Sequence, residues 1–116
     1  MADLELRFEL HPHSAPLPAT ERAGLLVDPG FGRVFTDHMA VMRHSQERGW
    51  HDGRIEARRA IAMDPAASVL HYAQEVFEGL KAYRTADGGA SLFRADANAR
   101  RLAQSARLLA MPELPE

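Results

Sequence analysis

At 116 residues, with 46% hydrophobic and 26% charged residues, the chain has the size and composition of one soluble globular domain rather than of a disordered polymer. It contains no cysteine, which excludes disulfides, thiolate nucleophiles and cysteine-ligated zinc or iron–sulfur centres within it. The net charge of −2 hides an uneven set of cations, since Lys81 is the one lysine among 14 Lys and Arg, and arginine cannot act as an amine nucleophile.

Residues 3–10, DLELRFEL, alternate apolar and polar with Leu4, Leu6, Phe8 and Leu10 on one side, the pattern of a half-buried strand. HPHSAPLPATERAGLLVDPGFG, rich in proline and glycine, reads as an extended connection with turns. RVFTDHMAVMRHS alternates again and is read as a strand. ERGWHDGRIEARRAIAM predicts a hairpin turning at Asp52-Gly53. A helix is expected next, started by Asp64-Pro65 or Ser68 and carried by Val69, Ala73, Val76, Phe77 and Leu80 to an end near Gly79. LKAYRTADGGASLFR predicts a second hairpin around a glycine turn. A last helix, capped by Asp96 or Asn98, presents Ala99, Leu102, Ala103, Ala106 and Leu109/Ala110 as an apolar stripe, and MPELPE stops it. The expected class is α+β, an antiparallel sheet with at least two packed helices. No segment approaches the roughly 20 apolar residues of a membrane span, and MADLELRFEL is too charged for a signal peptide, so the expected location is cytoplasmic.

Common site signatures are missing. PGFGRVF has Phe35 where a dinucleotide-binding loop needs its third glycine, and no P-loop, nucleophile elbow or zinc-protease motif occurs. His11-Pro12-His13 lacks a third ligand nearby and reads as solvated loop, so no metal is expected. His71 is expected to face water or a backbone carbonyl, with Tyr72 giving packing area and a polar tip. By spacing alone, Phe77 belongs to the apolar stripe and Arg100 and Arg101 to a solvated helix flank. Lys81 would need a closed, desolvating pocket to attack as a neutral amine, and nothing in sequence marks one.

Three longer words are more specific than their parts. FGRVFTDHM (Phe31–Met39), LHYAQEVFEGLKAYR (Leu70–Arg84) and LFRADANARRLAQSA (Leu92–Ala106) strongly resemble the amino-terminal region of branched-chain amino acid aminotransferases, pyridoxal-phosphate (PLP) enzymes of fold type IV. The resemblance runs in order from about Phe31 to Met111. It implies that Arg101 binds the cofactor phosphate and that Phe31, Tyr72 and Phe77 wall the pocket for the substrate's branched side chain. Arg100 is one position off that match. In relatives the position of Lys81 can be arginine, so it is not the Schiff-base lysine; that lysine is expected in a large second domain absent from this chain, leaving no catalytic residue here.

The resemblance therefore implies an amino-terminal strand and connection over 1–30 and part of a small domain over 31–116. The implied reaction is amino transfer between leucine, isoleucine or valine and 2-oxoglutarate by a complete homodimeric enzyme, this segment alone being inactive. Two alternatives stand beside it. One is a relative such as D-amino acid aminotransferase or aminodeoxychorismate lyase. The other is a non-catalytic module binding an anionic ligand or protein through Arg94, Arg100, Arg101 and Arg107, with little compensating acid. Nucleic acid is not an expected partner, given the negative net charge.

Overall fold

Five strands and three helices are present among the described residues, which in this computed structural model are 7–115. The class is α+β, as expected. The chain divides between Ile61 and Ala62 into two units.

In the first unit, β1 (Glu9–His11), α1 (Ala19–Leu25), β2 (His38–Ser45) and β3 (Gly49–Ala57) build a three-stranded sheet of order β1-β3-β2. β2 and β3 are antiparallel, from His38 opposite Ala57 to Ser45 opposite Gly49, while β1 runs parallel to β3. The Leu4 and Leu6 part of the first expected strand lies outside the described residues. The second strand begins at His38 rather than Arg33.

The hairpin does not turn at Asp52-Gly53. It turns at residues 46–48, where the Arg48 N–H donates to Ser45 Oγ at 3.2 Å and Gly49 takes φ +64°. A three-residue loop closed by a left-handed glycine suits the twist of the flanking strands. Asp52 and Gly53 instead lie within β3, where the pairing slips between Val41 and Arg43 and Asp52 adopts φ +54°. The Asp-Gly pair supplies a bulge, using the same backbone freedom that a turn needs. A Cβ on Gly53 would stand 2.7 Å from the Arg7 carbonyl oxygen, so only glycine allows that approach.

The connection after β1 is less extended than its prolines suggest, because α1 follows directly on Pro18, which stands at its N-cap with φ −54° and ψ 144°. Two side chains hold this connection: the His13 N–H donates to His38 Nε2 at 2.9 Å, and the Leu17 N–H to Asp37 Oδ2 at 3.1 Å.

The second unit contains α2 (Ser68–Tyr72), β4 (Ala82–Arg84), β5 (Ala90–Leu92) and α3 (Ala95–Leu108). The helix expected to reach Gly79 ends at Tyr72, because Ala73 turns left-handed at φ +49° and residues 73–81 are irregular. Its stripe has the right spacing, but Val69 and Val76 are only half-buried and Phe77 and Leu80 are exposed, and amphipathic helices owe most of their stability to burial of that face. Asp64 does not cap α2; its carboxylate accepts the Ala66 N–H at 2.7 Å and shapes the turn before it.

The β4–β5 hairpin forms as expected, with Ala82 opposite Leu92 and a turn through Gly88 at φ +85°. Asp87 fixes this turn by accepting the Thr85 hydroxyl and the Gly89 N–H.

α3 starts from Arg94 in left-handed geometry with no side-chain cap, so neither Asp96 nor Asn98 caps it. Its exit is better satisfied. The Ala110 N–H reaches Arg107 O at 3.1 Å, the Met111 N–H reaches Ala106 O at 2.9 Å, and Ala110 itself sits at φ +53°. This pair of bonds is a Schellman ending. Ala106, within the expected stripe, is the one buried apolar residue among the described residues.

Candidate functional site

The second unit gathers its polar groups where the irregular segment 73–81 meets α3. Asn98 and Arg101 lie one turn apart on α3 and share a face. Both reach Glu78. Arg101 takes the carboxylate side-on, Nε to Oε1 and Nη2 to Oε2, the latter at 2.7 Å. Asn98 Nδ2 donates to Glu78 Oε2 at 2.9 Å and to the Gly79 carbonyl at 3.0 Å. One carboxylate thus accepts three N–H donors, while the same amide anchors the backbone that carries it. Gln74 adds a further tie, its Nε2 donating to Leu109 O at 2.8 Å at the other end of α3.

Electrostatics follow this geometry. The Arg101 hydrogen bonds hold the Glu78 carboxyl below its usual range, with a smaller lowering from Asn98, and Glu78 in turn raises the Arg101 guanidinium further. The Glu78 side chain is 14% exposed and that of Arg101 is 66% exposed. The carboxylate is therefore the sheltered member and the guanidinium the presented one. Because Glu78 engages Nε and Nη2, the Nη1 end of the fork remains for an outside acceptor. That donor set suits phosphate or carboxylate oxygens.

The other expected site residues stand as follows. Tyr72 closes α2, 83% exposed, its ring edge-on to His71 with centroids 6.5 Å apart. His71 Nε2–H meets the Pro65 carbonyl at 2.6 Å, the second of the two surroundings expected for it, water or a backbone carbonyl. Phe77 lies in the irregular segment one residue before Glu78, 85% exposed. Phe31 belongs to the first unit and is 97% exposed. All three aromatics thus offer open apolar surface. Lys81 is exposed immediately before β4.

The arginines do not form an uncompensated run. Arg100 pairs with Asp96 at 2.5 Å, and Arg107 grips Glu113 through Nε and Nη2 at 2.8 and 2.6 Å. With Arg101 on Glu78, three of the four arginines offered for an anion-binding module carry a carboxylate, so the run does have compensating acid. Helical spacing explains the Asp96–Arg100 pair, an i, i+4 contact. The Glu78 partnership spans 23 residues, and its only trace in sequence is a lone acid inside the apolar run VFEGL. No group of three or more His, Asp or Glu residues is placed to hold a metal among the described residues. No described helix is long and apolar enough to cross a membrane.

No protein-family model matches the chain. Curated proteins do. A branched-chain-amino-acid aminotransferase of Mycobacterium tuberculosis is 52% identical over 116 residues, which is 100% of this chain and 32% of that protein. One from Mycolicibacterium smegmatis is 49% identical over 111 residues, 96% of this chain and 30% of the relative. The mitochondrial branched-chain-amino-acid aminotransferase of Bos taurus is 40% identical over 111 residues, 96% of this chain and 26% of the relative. The chain thus spans about a third or less of the length of the curated relatives it matches.

Proposed function

The chain belongs to the branched-chain-amino-acid aminotransferase family, aligned along the amino-terminal part of its members, and we propose that it supplies the anion grip and the side-chain pocket of such an enzyme. The complete protein would move an amino group between leucine, isoleucine or valine and 2-oxoglutarate. The large domain bearing the Schiff-base lysine and the homodimer belong to the same proposal and rest on the resemblance of the three sequence words; a cytoplasmic location belongs to it too and rests on the charged amino-terminal sequence and the lack of a long apolar segment.

The observation that carries this reading is the presented guanidinium of Arg101. It stands on a regular helix, it is held from one side by a sheltered carboxylate, and its other end is open. These features fit the phosphate of PLP. When bound, PLP would supply the electron sink for bond changes at the amino acid's α-carbon. The residues of this chain would bind and orient. Arg101 would donate to phosphate oxygens through Nη1, a charge-assisted and directional contact. Tyr72, Phe77 and Phe31 would exclude water from the branched side chain, each methylene buried contributing about 0.8 kcal/mol. Their exposed rings are apolar surface suited to that work.

Arg101→Ala in the complete protein should lower PLP retention after dialysis, followed by the visible absorbance of the bound cofactor. Retention equal to wild type would remove Arg101 from the phosphate site.

A further inference from the structure

Glu78 has a less obvious part in this arrangement. An exposed ion pair contributes little to stability, and a carboxylate beside a phosphate-gripping arginine opposes the anion by charge. Yet Glu78 is the sheltered partner and carries three hydrogen bonds from two residues of α3. Its own backbone is irregular, and the Asn98 bond to the Gly79 carbonyl sets where the carboxylate lies. A guanidinium on its long stem samples many rotamers in water, and a side-on carboxylate reduces them to the few in which the opposite end points away.

We propose that Glu78, fixed by Asn98, is a positioning residue that clamps Arg101 so that its Nη1 end is presented to the phosphate of the cofactor. The proposal rests on the reading of Arg101 as the phosphate ligand. Glu78 gives up some electrostatic attraction and gains a preorganised donor, the trade that makes oriented binding groups effective. Asn98 acts one step further out, through Glu78 and the Gly79 backbone.

The test uses the complete aminotransferase freed of cofactor and titrated with two probes, PLP and pyridoxal, which lacks the phosphate. Glu78→Ala should weaken PLP binding about tenfold, a difference of about 1.4 kcal/mol, and leave pyridoxal binding unchanged. Asn98→Ala should do the same to a smaller extent. Combined with Arg101→Ala, Glu78→Ala should add no further loss, because the residue acts through that guanidinium. Glu78→Gln keeps the volume and one acceptor, so it should fall between wild type and Glu78→Ala and carries the test if Glu78→Ala fails to fold.

If Arg101→Ala leaves PLP affinity unchanged, the phosphate reading itself fails. If Arg101→Ala weakens PLP while the Glu78 variants match or exceed wild type, that reading stands and the clamp is overturned. Equal losses for PLP and pyridoxal would also overturn it, by making Glu78 a general structural support.

Discussion

The two units are held together by different means. Up to Ile61 the described structure rests on a backbone ladder, the nine-residue β3 pairing with β2 on one side and, at Arg54–Glu56, with β1 on the other. Cross-strand partners add to it, as where His44 and Trp50 meet edge to face with ring centroids 5.2 Å apart. Beyond Ala62 the described residues have one short hairpin and two helices, linked by side chains: Asn98 to Gly79, Arg101 to Glu78, Gln74 to Leu109. The bonds of a ladder are made by backbone groups that every residue except proline carries in full. A set of side-chain ties depends on each identity and on charge, and here those ties surround the candidate phosphate ligand. The region with the presented cation also holds Glu78, Asp87, Asp96 and Glu113, the carboxyls kept below their usual range.

The comparison would break most visibly at Gly53. A methyl group there would stand 2.7 Å from the Arg7 carbonyl oxygen, inside β3 and beside the bulge at Asp52. Gly53→Ala should therefore separate the backbone approach and destabilise the first unit by about 1–3 kcal/mol, in the range of overpacking. Thermal unfolding of the complete protein, with hydrogen exchange at Arg54–Glu56, would measure it. Exchange rates unchanged at those amides would mean that the sheet yields without loss, and that its ladder is looser than its geometry implies.

Acid should sharpen the comparison from the other side. Glu78, Asp87, Asp96 and Glu113, all beyond Ala62, have carboxyls held below their usual range by hydrogen bonds from Arg101, Thr85, Arg100 and Arg107 respectively. A folded-state value below the unfolded one gives stabilisation that is fully present above the unfolded carboxylate range, about 4. It is lost as pH falls through the depressed folded values. The amides of α3 and of β4–β5 should therefore lose protection in that acid window before those of the β2–β3 ladder. Added salt should weaken the exposed Asp96–Arg100 and Arg107–Glu113 pairs as well. Simultaneous loss in both regions would contradict the division into ladder and ties.

These differences also explain what could be read from sequence. Most of β2, the β4–β5 hairpin and α3 are legible because alternation, a Gly-rich turn and helical spacing are local signals that the structure does not override. The length of α2 was not legible. Val76, Phe77 and Leu80 recur as a helix would have them, but recurrence reports only where an apolar face could form, and the backbone turns aside at Ala73. Asp52-Gly53 misled for a related reason, since the same backbone freedom serves a bulge and a turn. Arg101 stood out by resemblance alone. Its partners did not, because Glu78 lies 23 residues away and Asn98 meets Glu78 across 20, distances over which periodicity is silent.

The smallest expected effect concerns the exit of α3. Ala110 occupies the left-handed position of the Schellman ending at φ +53°, where glycine avoids the penalty of a side chain. The bonds from Ala110 and Met111 back to Arg107 and Ala106 depend on that conformation, and the Gln74 amide reaches the neighbouring Leu109 carbonyl. Ala110→Gly relieves strain in the folded chain but widens the conformational freedom of the unfolded one, and the first effect should exceed the second by up to about 1 kcal/mol. Thermal unfolding of the complete protein should show a small rise in Tm, with slower exchange confined to the last turn of α3. A fall in Tm would mean that the unfolded-state term dominates and that the ending is held by its side-chain tie to Gln74 rather than by its backbone geometry.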